Sequence, residues 1–250
     1  MSGSGTQNPV VVLTLRRTGG TSMMMLLQSC SSFPSLEHEP LNIDRSLGHI
    51  TKAFVENTDN ARLDEALGNA LSERPNLKHC VETVPAPVTT ALIRNCTRLN
   101  YRFLLWRRES MVNRIISLFV AKQTTIWGNQ GRQAFADEIA KGNKILFPFD
   151  LAEMEEQARK DHHAWQLMVS SLDDLGVSGV EFSYEYLYEE PYKRKRAAEL
   201  LEKLGFDLSS AGENIRVFAE NRPERPSSLT EAVPNVKEAR EFLRSLESRL

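Results

Sequence analysis

Residues 16–22, with the sequence Arg-Arg-Thr-Gly-Gly-Thr-Ser, combine the side chains and the backbone freedom that binding an anion requires. Gly19 and Gly20 let the backbone bend tightly and approach a ligand with no Cβ in the way. An apolar stretch that favours a helix follows, and the free N–H groups of a helix's first turn attract negative charge. The guanidinium of Arg17 and the hydroxyls at the end of the segment add donors. The segment therefore predicts a cradle for a phosphate or sulfate group.

Two well-known phosphate loops do not fit this segment. A Walker A loop ends in Lys followed by Ser or Thr, which bind the terminal phosphates and Mg²⁺, and the segment contains no Lys. The dinucleotide-binding pattern Gly-x-Gly-x-x-Gly is also absent from it. The sequence thus indicates an anion site of another kind.

The cradle needs a strand before it and a helix after it, and the sequence predicts both. Four segments predict buried strands, at residues 10–15, 77–81, 101–106 and 179–184, and helices are predicted after the first, third and fourth. Further helices are predicted at 61–71, 134–141, 151–175 and 236–250, the last largely surface-facing, and residues 221–228 are predicted to be irregular. This alternation predicts an α/β fold with a central parallel sheet flanked by helices, in a single domain over residues 10–250.

Composition limits the classes of function. The 250 residues suit one globular domain, and a net charge of −2 provides no overall basic field, so neither nucleic acid nor an anionic membrane surface is expected as a partner. No apolar run reaches the roughly 18–20 residues of a membrane span, and the Gly/Ser-rich start, residues 1–9, is expected to be flexible and lacks a signal peptide's apolar stretch. A cytoplasmic protein is therefore expected. Three cysteines without a Cys-x-x-Cys pair favour neither a disulfide framework nor a zinc site.

The cradle and three later segments together resemble the sulfotransferases that use 3′-phosphoadenylyl sulfate (PAPS), in particular the bacterial trehalose and nodulation-factor branch. Residues 17–21 are similar to the family's 5′-phosphosulfate loop, Lys/Arg-x-Gly-Ser/Thr-Thr/Ser, with Gly20 in place of a hydroxyl residue. Residues 105–127 resemble the Arg and Ser that hold the 3′-phosphate, followed by Ala-x-Gln-Thr-x-x-Trp. Residues 184–187 are similar to the family's Tyr-Glu-x-Leu segment, and 225–235 to its closing loop.

This resemblance implies transfer of a sulfuryl group from PAPS to a hydroxyl or amine acceptor, a small molecule or a carbohydrate, with release of the nucleotide PAP. A P-loop-like sulfotransferase fold without a metal cofactor is expected, and a homodimer stays open. The residues that the resemblance assigns to cofactor binding are Arg17, Thr18, Gly19, Gly20, Thr21, Ser22, Arg108, Ser117, Tyr184, Arg222 and Arg225. Tyr184 would lie beside the adenine, and Arg107 remains an alternative to Arg108 at the 3′-phosphate.

A hydroxyl acceptor needs a base to take its proton, and three residues are candidates. Glu39 resembles the glutamate that trehalose-type enzymes use, although it would need a pKa raised by partial burial. His79 lies near the place where cytosolic members carry Lys-x-His, but here it adjoins Lys78 directly, and neighbouring strand residues point to opposite faces. His38, beside Glu39, is the third candidate. Arg17 joins the catalytic residues because its charge would stabilise the leaving phosphate.

Two other functions stay open. A small-molecule or nucleoside kinase with a degenerate phosphate loop would share the cradle, although the missing Lys-Ser/Thr pair argues against it. A non-catalytic module would bind PAP but turn over no PAPS. The acceptor stays unidentified, and residues 42–99, the stretch least similar to the family, are expected to form much of its binding wall.

Overall fold

The computed structural model of the chain describes residues 7–127, 131–221 and 227–250. These residues form two compact units, each with apolar core residues of its own. The first unit combines the residues up to Glu109 with His163–Asn221, and the second combines Ser110–His162 with the residues after Asn221. A single domain over residues 10–250 stays a prediction.

A parallel sheet forms the centre of the first unit. Within the described part of the chain it has four strands, Val10–Thr14 (β1), Leu77–Cys80 (β2), Arg102–Arg107 (β3) and Val180–Ser183 (β4). All pairs are parallel, and the spatial order is β2-β1-β3-β4. The four predicted strands are confirmed to within one residue at either end, and so is the α/β class with a central parallel sheet.

Helices flank this sheet and build the second unit. In chain order they are Gly20–Cys30 (α1), Gly48–Asn57 (α2), Asn60–Ala70 (α3), Ala86–Arg98 (α4), Met111–Thr124 (α5), Arg132–Ala140 (α6), Leu151–Asp174 (α7), Tyr184–Leu187 (α8), Lys193–Lys203 (α9), Leu208–Glu220 (α10), Ser227–Glu231 (α11) and Val236–Glu247 (α12). Helices α2, α4, α8, α10 and α11 are not among the predicted ones. In the described ranges, no helix has both the length and the apolar character needed to cross a membrane.

Alternation along the strands sends side chains to the two faces of the sheet, and helices cover both faces. Val11 and Leu13 belong to an apolar cluster with residues of α2, α3 and α4. Val12 and Trp106 belong to another cluster, with residues of α1, α9 and α10. All five residues of β1 are buried, as expected for a central strand covered on both faces. The first unit therefore has three layers, with the sheet in the middle.

Gln7 and Asn8, near the end of the segment predicted to be flexible, form hydrogen bonds with the first unit, and the flexible start stays a prediction. The Gln7 side chain donates to the carbonyl of Cys30 at 3.1 Å and accepts from the backbone N–H of Ser32 at 3.0 Å. The Asn8 side chain accepts from the guanidinium of Arg74 at 3.2 Å. These bonds tie the chain down immediately before β1. The rest of the predicted flexible start, residues 1–6, lies outside the described residues.

The second unit contains α5, α6, the first half of α7, α11 and α12. Val236 and Leu243 of α12 are buried in its core, whereas most of the helix is exposed or partly exposed, as predicted for a largely surface-facing helix. The mixed charges of α12 occupy one face, and apolar residues at helical spacing form the other. A buried ion pair of 2.7 Å joins Arg114 of α5 to Asp161 of α7. Helix α11 begins at Ser227, inside the stretch predicted to be irregular.

The strand order of the first unit predicts a crevice at the carboxyl end of the sheet. The chain passes from β1 to β2 on one side, and it then crosses to β3 on the other side of β1. In open parallel sheets the loops that leave the strands on either side of such a reversal diverge, and ligands bind between them. The crevice lies between the loop after β1 and the end of β3, which is where the predicted cradle is located.

Candidate functional site

The chain turns sharply between β1 and α1, and this turn contains the predicted anion cradle. Arg17 and Gly19 have backbone φ angles of 66° and 73°, in the left-handed region. Glycine adopts this region freely, whereas an arginine does so at an energetic cost. Helix α1 then begins at Gly20, with no side chain bonded as a cap and no acidic residue in its first turn. The N–H groups of that turn are thus suited to an anion.

Contacts from β3 hold the turn in place. The indole N–H of Trp106 donates to the carbonyl of Thr18 at 2.9 Å, and the guanidinium of Arg108 donates to the carbonyl of Arg17 at 3.4 Å. Within the turn, the Thr18 hydroxyl donates to the carbonyl of Leu15 at 3.0 Å. The backbone of the turn is therefore fixed against the neighbouring strand before any ligand arrives.

A buried carboxylate anchors the other side of the turn. Glu82, in the 3₁₀ turn Val81–Thr83 after β2, is only 3% exposed. Its Oε1 accepts from the backbone N–H of Arg16 at 2.7 Å and from the guanidinium Nε of Arg16 at 3.1 Å. Removing one partner of such a pair would leave a buried charge uncompensated. Glu82 therefore fixes the residue that precedes the left-handed Arg17.

Gly19 lies against the ring of Tyr184, the first residue of α8. A Cβ on Gly19 would stand 2.5 Å from a ring carbon, so this position requires glycine for space as well as for its φ angle. The Arg108 guanidinium lies 5.1 Å from the centroid of the same ring, and its Nε lies 3.7 Å from Oε1 of Glu185. Arg107, the alternative to Arg108, is exposed at the end of β3. The geometry therefore favours Arg108 over Arg107 as the site residue.

A nearly buried ion pair lies beside the start of α1. Lys78 Nζ is 2.8 Å from Glu39 Oε1, with 8% and 20% of the two side chains exposed. The Cδ atom of Lys78 is 3.4 Å from the position that a Cβ on Gly20 would take. Asn42 donates to Glu39 Oε2 at 3.1 Å, and the Thr83 hydroxyl donates to Asn42 Oδ1 at 2.6 Å. Both oxygens of Glu39 thus have a partner, and one of these partners touches the cradle.

The ion pair sets the protonation state of Glu39. Burial alone would raise the pKa of Glu39, but the Lys78 ammonium and hydrogen bonds from Lys78, Cys80 and Asn42 outweigh it. The pKa of Glu39 therefore lies below its ordinary value. A useful base near neutral pH needs the opposite shift, so Glu39 paired with Lys78 is a weak base.

The two candidate histidines have different surroundings. His79 points away from Lys78, to the other face of β2, where it is 1% exposed and its Nε2 lies 2.9 Å from the Thr89 hydroxyl of α4. Burial lowers the pKa of His79 to about 4, so the ring is neutral at physiological pH. His38 is half-buried next to Glu39, and its Nδ1 has no hydrogen-bond partner among the described residues. His79 thus belongs to the core, whereas His38 lies next to the ion pair.

The structure places the remaining predicted cofactor residues in three different settings. Thr21 and Ser22 are exposed on the first turn of α1. Ser117 lies in α5, in the second unit, and is partly exposed. Arg222 and Arg225 lie outside the described residues. Of the predicted cofactor residues, those of the cradle, Arg108 and Tyr184 lie together in the first unit.

No protein-family model and no curated protein matches this chain. Within residues 7–127, 131–221 and 227–250, no three His, Cys, Asp or Glu side chains lie close enough together to hold a metal ion. The function is therefore inferred from the geometry of the crevice and from the residues that line it.

Two residues that hold the turn in place, Trp106 and Glu82, are not among those that the sequence assigns to the site. Trp106 and Glu82 contact the turn from positions 88 and 66 residues away in sequence, and Lys78 reaches it from β2. No short motif contains such distant pairs. The sequence offers one indication of such contacts, which is the position of charged residues. Lys78 lies within a buried strand, and Glu82 comes two residues after the end of that strand.

The crevice combines cationic groups with an aromatic surface. Arg108, Lys78 and the N-terminus of α1 provide the positive charge. The ring of Tyr184 contacts that of Tyr188, with centroids 4.7 Å apart and 35° between the ring planes, so two aromatic rings lie beside the turn. Such a surface suits a base or another flat ring, and the cationic groups suit a phosphate or sulfate. The arrangement therefore fits a nucleotide with an anionic 5′ end.

We expect Gly19→Ala to destabilise the protein more than Gly205→Ala. The two glycines have similar φ angles, 73° and 77°, so both alanines enter the left-handed region at a cost of about 1–2 kcal/mol. Only at Gly19 does the added methyl meet the Tyr184 ring, because a Cβ on Gly205 has no described atom within 4 Å. Denaturant unfolding of both variants measures the difference, and equal losses of unfolding free energy would contradict the Tyr184 contact.

His79 should make folding weaker in acid. Its pKa in the folded protein is about 4, below the ordinary value of about 6.5, so the unfolded chain binds a proton more readily. The contribution of neutral His79 to the free energy of unfolding is complete above pH 6.5 and is lost as the pH falls through about 4. The full difference between the two pKa values corresponds to about 3 kcal/mol. His79→Gln cannot titrate and should lose that much less stability between pH 7 and 4 in denaturant unfolding. Identical pH profiles for the two proteins would show that His79 is not a buried neutral histidine.

Proposed function

We propose that this protein is a PAPS-dependent sulfotransferase, which moves a sulfuryl group to a hydroxyl or amine acceptor and releases PAP. The observation that carries the proposal is the pre-formed turn at Arg17–Gly20, located at the strand-order reversal and bordered by Arg108 and Tyr184. The turn bends through a left-handed glycine onto an uncapped helix N-terminus. A crevice of this kind supports binding of a nucleotide through its 5′ anion.

The donor is expected to bind with its 5′-phosphosulfate on the turn and its adenine on the aromatic surface. Arg17, the N–H groups of α1, and the exposed hydroxyls of Thr21 and Ser22 are donors for the sulfate and phosphate oxygens. Tyr184 offers its ring to the adenine, and Arg108 offers a bidentate guanidinium to the 3′-phosphate. By the family resemblance, Ser117, Arg222 and Arg225 also bind the donor.

The transfer step places the acceptor oxygen, the sulfur and the leaving oxygen in line. A bond forms between the acceptor oxygen and sulfur, and the bond between sulfur and the 5′-phosphate oxygen of PAPS breaks. The electron pair of that bond stays on the phosphate of PAP, where Arg17 and the helix N-terminus stabilise the charge. The acceptor proton passes to a base of the protein. The leaving group is a stabilised phosphate, so the step does not require a metal ion.

Glu39 is the base that the geometry supports best. It lies beside Lys78, whose stem contacts the start of α1, whereas His79 is held on the opposite face of β2. His38 is the second candidate because it adjoins Glu39 and carries a buried nitrogen without a partner among the described residues. Because Glu39 is paired with Lys78, it can act as a base only after that pair opens.

A small molecule or a carbohydrate is proposed as the acceptor, and the cytoplasm as the location. A binding module without catalysis is the second candidate function, and one observation favours it. In the structure Glu39 is ion-paired and its pKa is lowered, which is unfavourable for a base. Such a module would bind PAP tightly and release no sulfated product from PAPS.

PAP should bind much more tightly than AMP, which lacks the 3′-phosphate. One lost charge-assisted contact corresponds to roughly tenfold to hundredfold in affinity. Arg17→Ala should weaken PAP binding by a similar factor and slow turnover, whereas Arg62→Ala, at an 81% exposed side chain of α3, should change neither. Isothermal titration calorimetry gives these affinities. Equal affinities for PAP and AMP, or binding of ATP with Mg²⁺ instead of PAP, would contradict the proposed function.

Glu39→Gln should keep the fold and bind PAP at least as tightly as the wild type, but it should slow the chemical step by roughly 10²–10⁴-fold, because the amide cannot accept the acceptor's proton. His79→Gln should stay within a few-fold of the wild type. Single-turnover assays with PAPS and an active acceptor measure the chemical step, and mass spectrometry of the products finds the acceptor. A Glu39→Gln enzyme close to wild-type rate would exclude Glu39, and loss of activity in His38→Asn alone would assign the base to His38.

A further inference from the structure

Lys78 is a nearly buried cation with a carboxylate at one end and the cradle along its stem. Its Nζ contacts Glu39, and its Cδ lies against the start of α1, 3.4 Å from the position of a Cβ on Gly20. A lysine stem has several rotatable bonds, so its ammonium can move while the stem stays in place. Gly20 has no side chain to separate this stem from the cradle.

We propose that Lys78 changes partners when an anion binds, leaving Glu39 for the sulfate or phosphate in the cradle and so freeing Glu39 to accept a proton. This inference rests on the proposed function. It assigns Lys78 two successive roles, as a partner that keeps Glu39 charged before the donor binds, and as an anion ligand afterwards. It also accounts for an ion-paired carboxylate at the site of a base.

The surroundings of Glu39 support such an exchange. Asn42 donates to Oε2, the oxygen that Lys78 does not contact, and the Thr83 hydroxyl binds the oxygen of the same amide. This second bond fixes the orientation of the Asn42 amide. The carboxylate is therefore held in position when Lys78 leaves, and the freed oxygen is Oε1. Burial then acts on a carboxylate without its cation and raises its proton affinity.

The exchange fits the proton balance of the transfer. The acceptor hydroxyl loses its proton to Oε1 of Glu39 as its oxygen bonds to sulfur, and the bond from sulfur to the 5′-phosphate oxygen breaks. The electron pair remains on that phosphate, beside the Lys78 ammonium. After PAP leaves, Glu39 returns its proton to water and pairs with Lys78 again. No further reactant is needed.

A double-mutant cycle on PAP affinity tests the exchange. If Glu39 competes with the anion for Lys78, Glu39→Gln should tighten PAP binding by roughly threefold to tenfold, and Lys78→Met should weaken it by roughly tenfold to hundredfold. The decisive comparison is Glu39→Gln in the Lys78→Met background. In that background the gain in PAP affinity from Glu39→Gln should largely disappear, because there is no Lys78 ammonium that the substitution could release to the anion. Calorimetry on the four proteins gives all the affinities.

Each result separates the inference from the proposed function. If wild-type protein binds no PAP, the proposed function fails. If it binds PAP but Glu39→Gln gives the same gain in both backgrounds, Glu39 acts by repulsion through space and the exchange is wrong. Lys78→Met alone leaves a buried carboxylate without its cation and can unfold the protein. The double variant Glu39→Gln/Lys78→Met has no unpaired carboxylate at position 39. Comparing its PAP affinity with that of Glu39→Gln therefore still measures what Lys78 contributes to binding. Equal PAP affinities for these two variants would overturn the exchange.

Discussion

The left-handed turn at Gly19 is the constraint on which the rest of the site depends. It directs the chain from the buried strand β1 into α1 so that the first N–H groups of the helix face the crevice. Tyr184 fills the space where a side chain would be, and Trp106 holds the preceding carbonyl. The contacts come from β3 and α8, so the shape of the turn depends on the parallel sheet being assembled. The proposed donor would meet a backbone that needs little further ordering, which would lower the entropic cost of binding.

Cations beside the turn are paired with carboxylates. Three cation–carboxylate pairs lie along it, between Arg16 and Glu82, Lys78 and Glu39, and Arg108 and Glu185, with separations of 3.1, 2.8 and 3.7 Å. The pairs differ in function because they differ in burial. Glu82 is fully buried and serves as an anchor, whereas the Arg108–Glu185 pair is partly exposed and long, and therefore easily broken. The proposed donor would compete with these carboxylates for the cations, so it would gain affinity most where the existing pair is weakest.

Local patterns were sufficient to predict the four strands and the helices α1, α5 and α9, whereas the binding of an anion by the cradle stays a prediction. A buried β-branched run and a Gly-Gly turn are contained within a few residues, and each has a direct physical meaning. Helices α2, α4, α8, α10 and α11 escaped prediction, although α10 has a capping aspartate, Asp207, whose side chain accepts from the N–H of Ser209. The contacts of Trp106 and Glu82 with the turn could not be predicted, because they join residues that become neighbours only when β1, β2 and β3 pair. The protonation of Glu39 depends on the same assembly, through Lys78.

The pairing of residues 35–39 with β2 explains why Glu39, and not His79, lies beside the ammonium of Lys78. Ser35 forms a parallel bridge with Asn76, and the backbone N–H of Glu39 donates to the carbonyl of Lys78 at 3.2 Å. This segment therefore runs along the outer edge of β2 and delivers the Glu39 side chain to the Lys78 side of the strand. Strand alternation sends His79 to the opposite face, into the core beside Thr89. A Lys-x-His spacing would put both residues on one face, but adjacent residues cannot share it, so in this chain a base beside Lys78 has to come from the neighbouring segment.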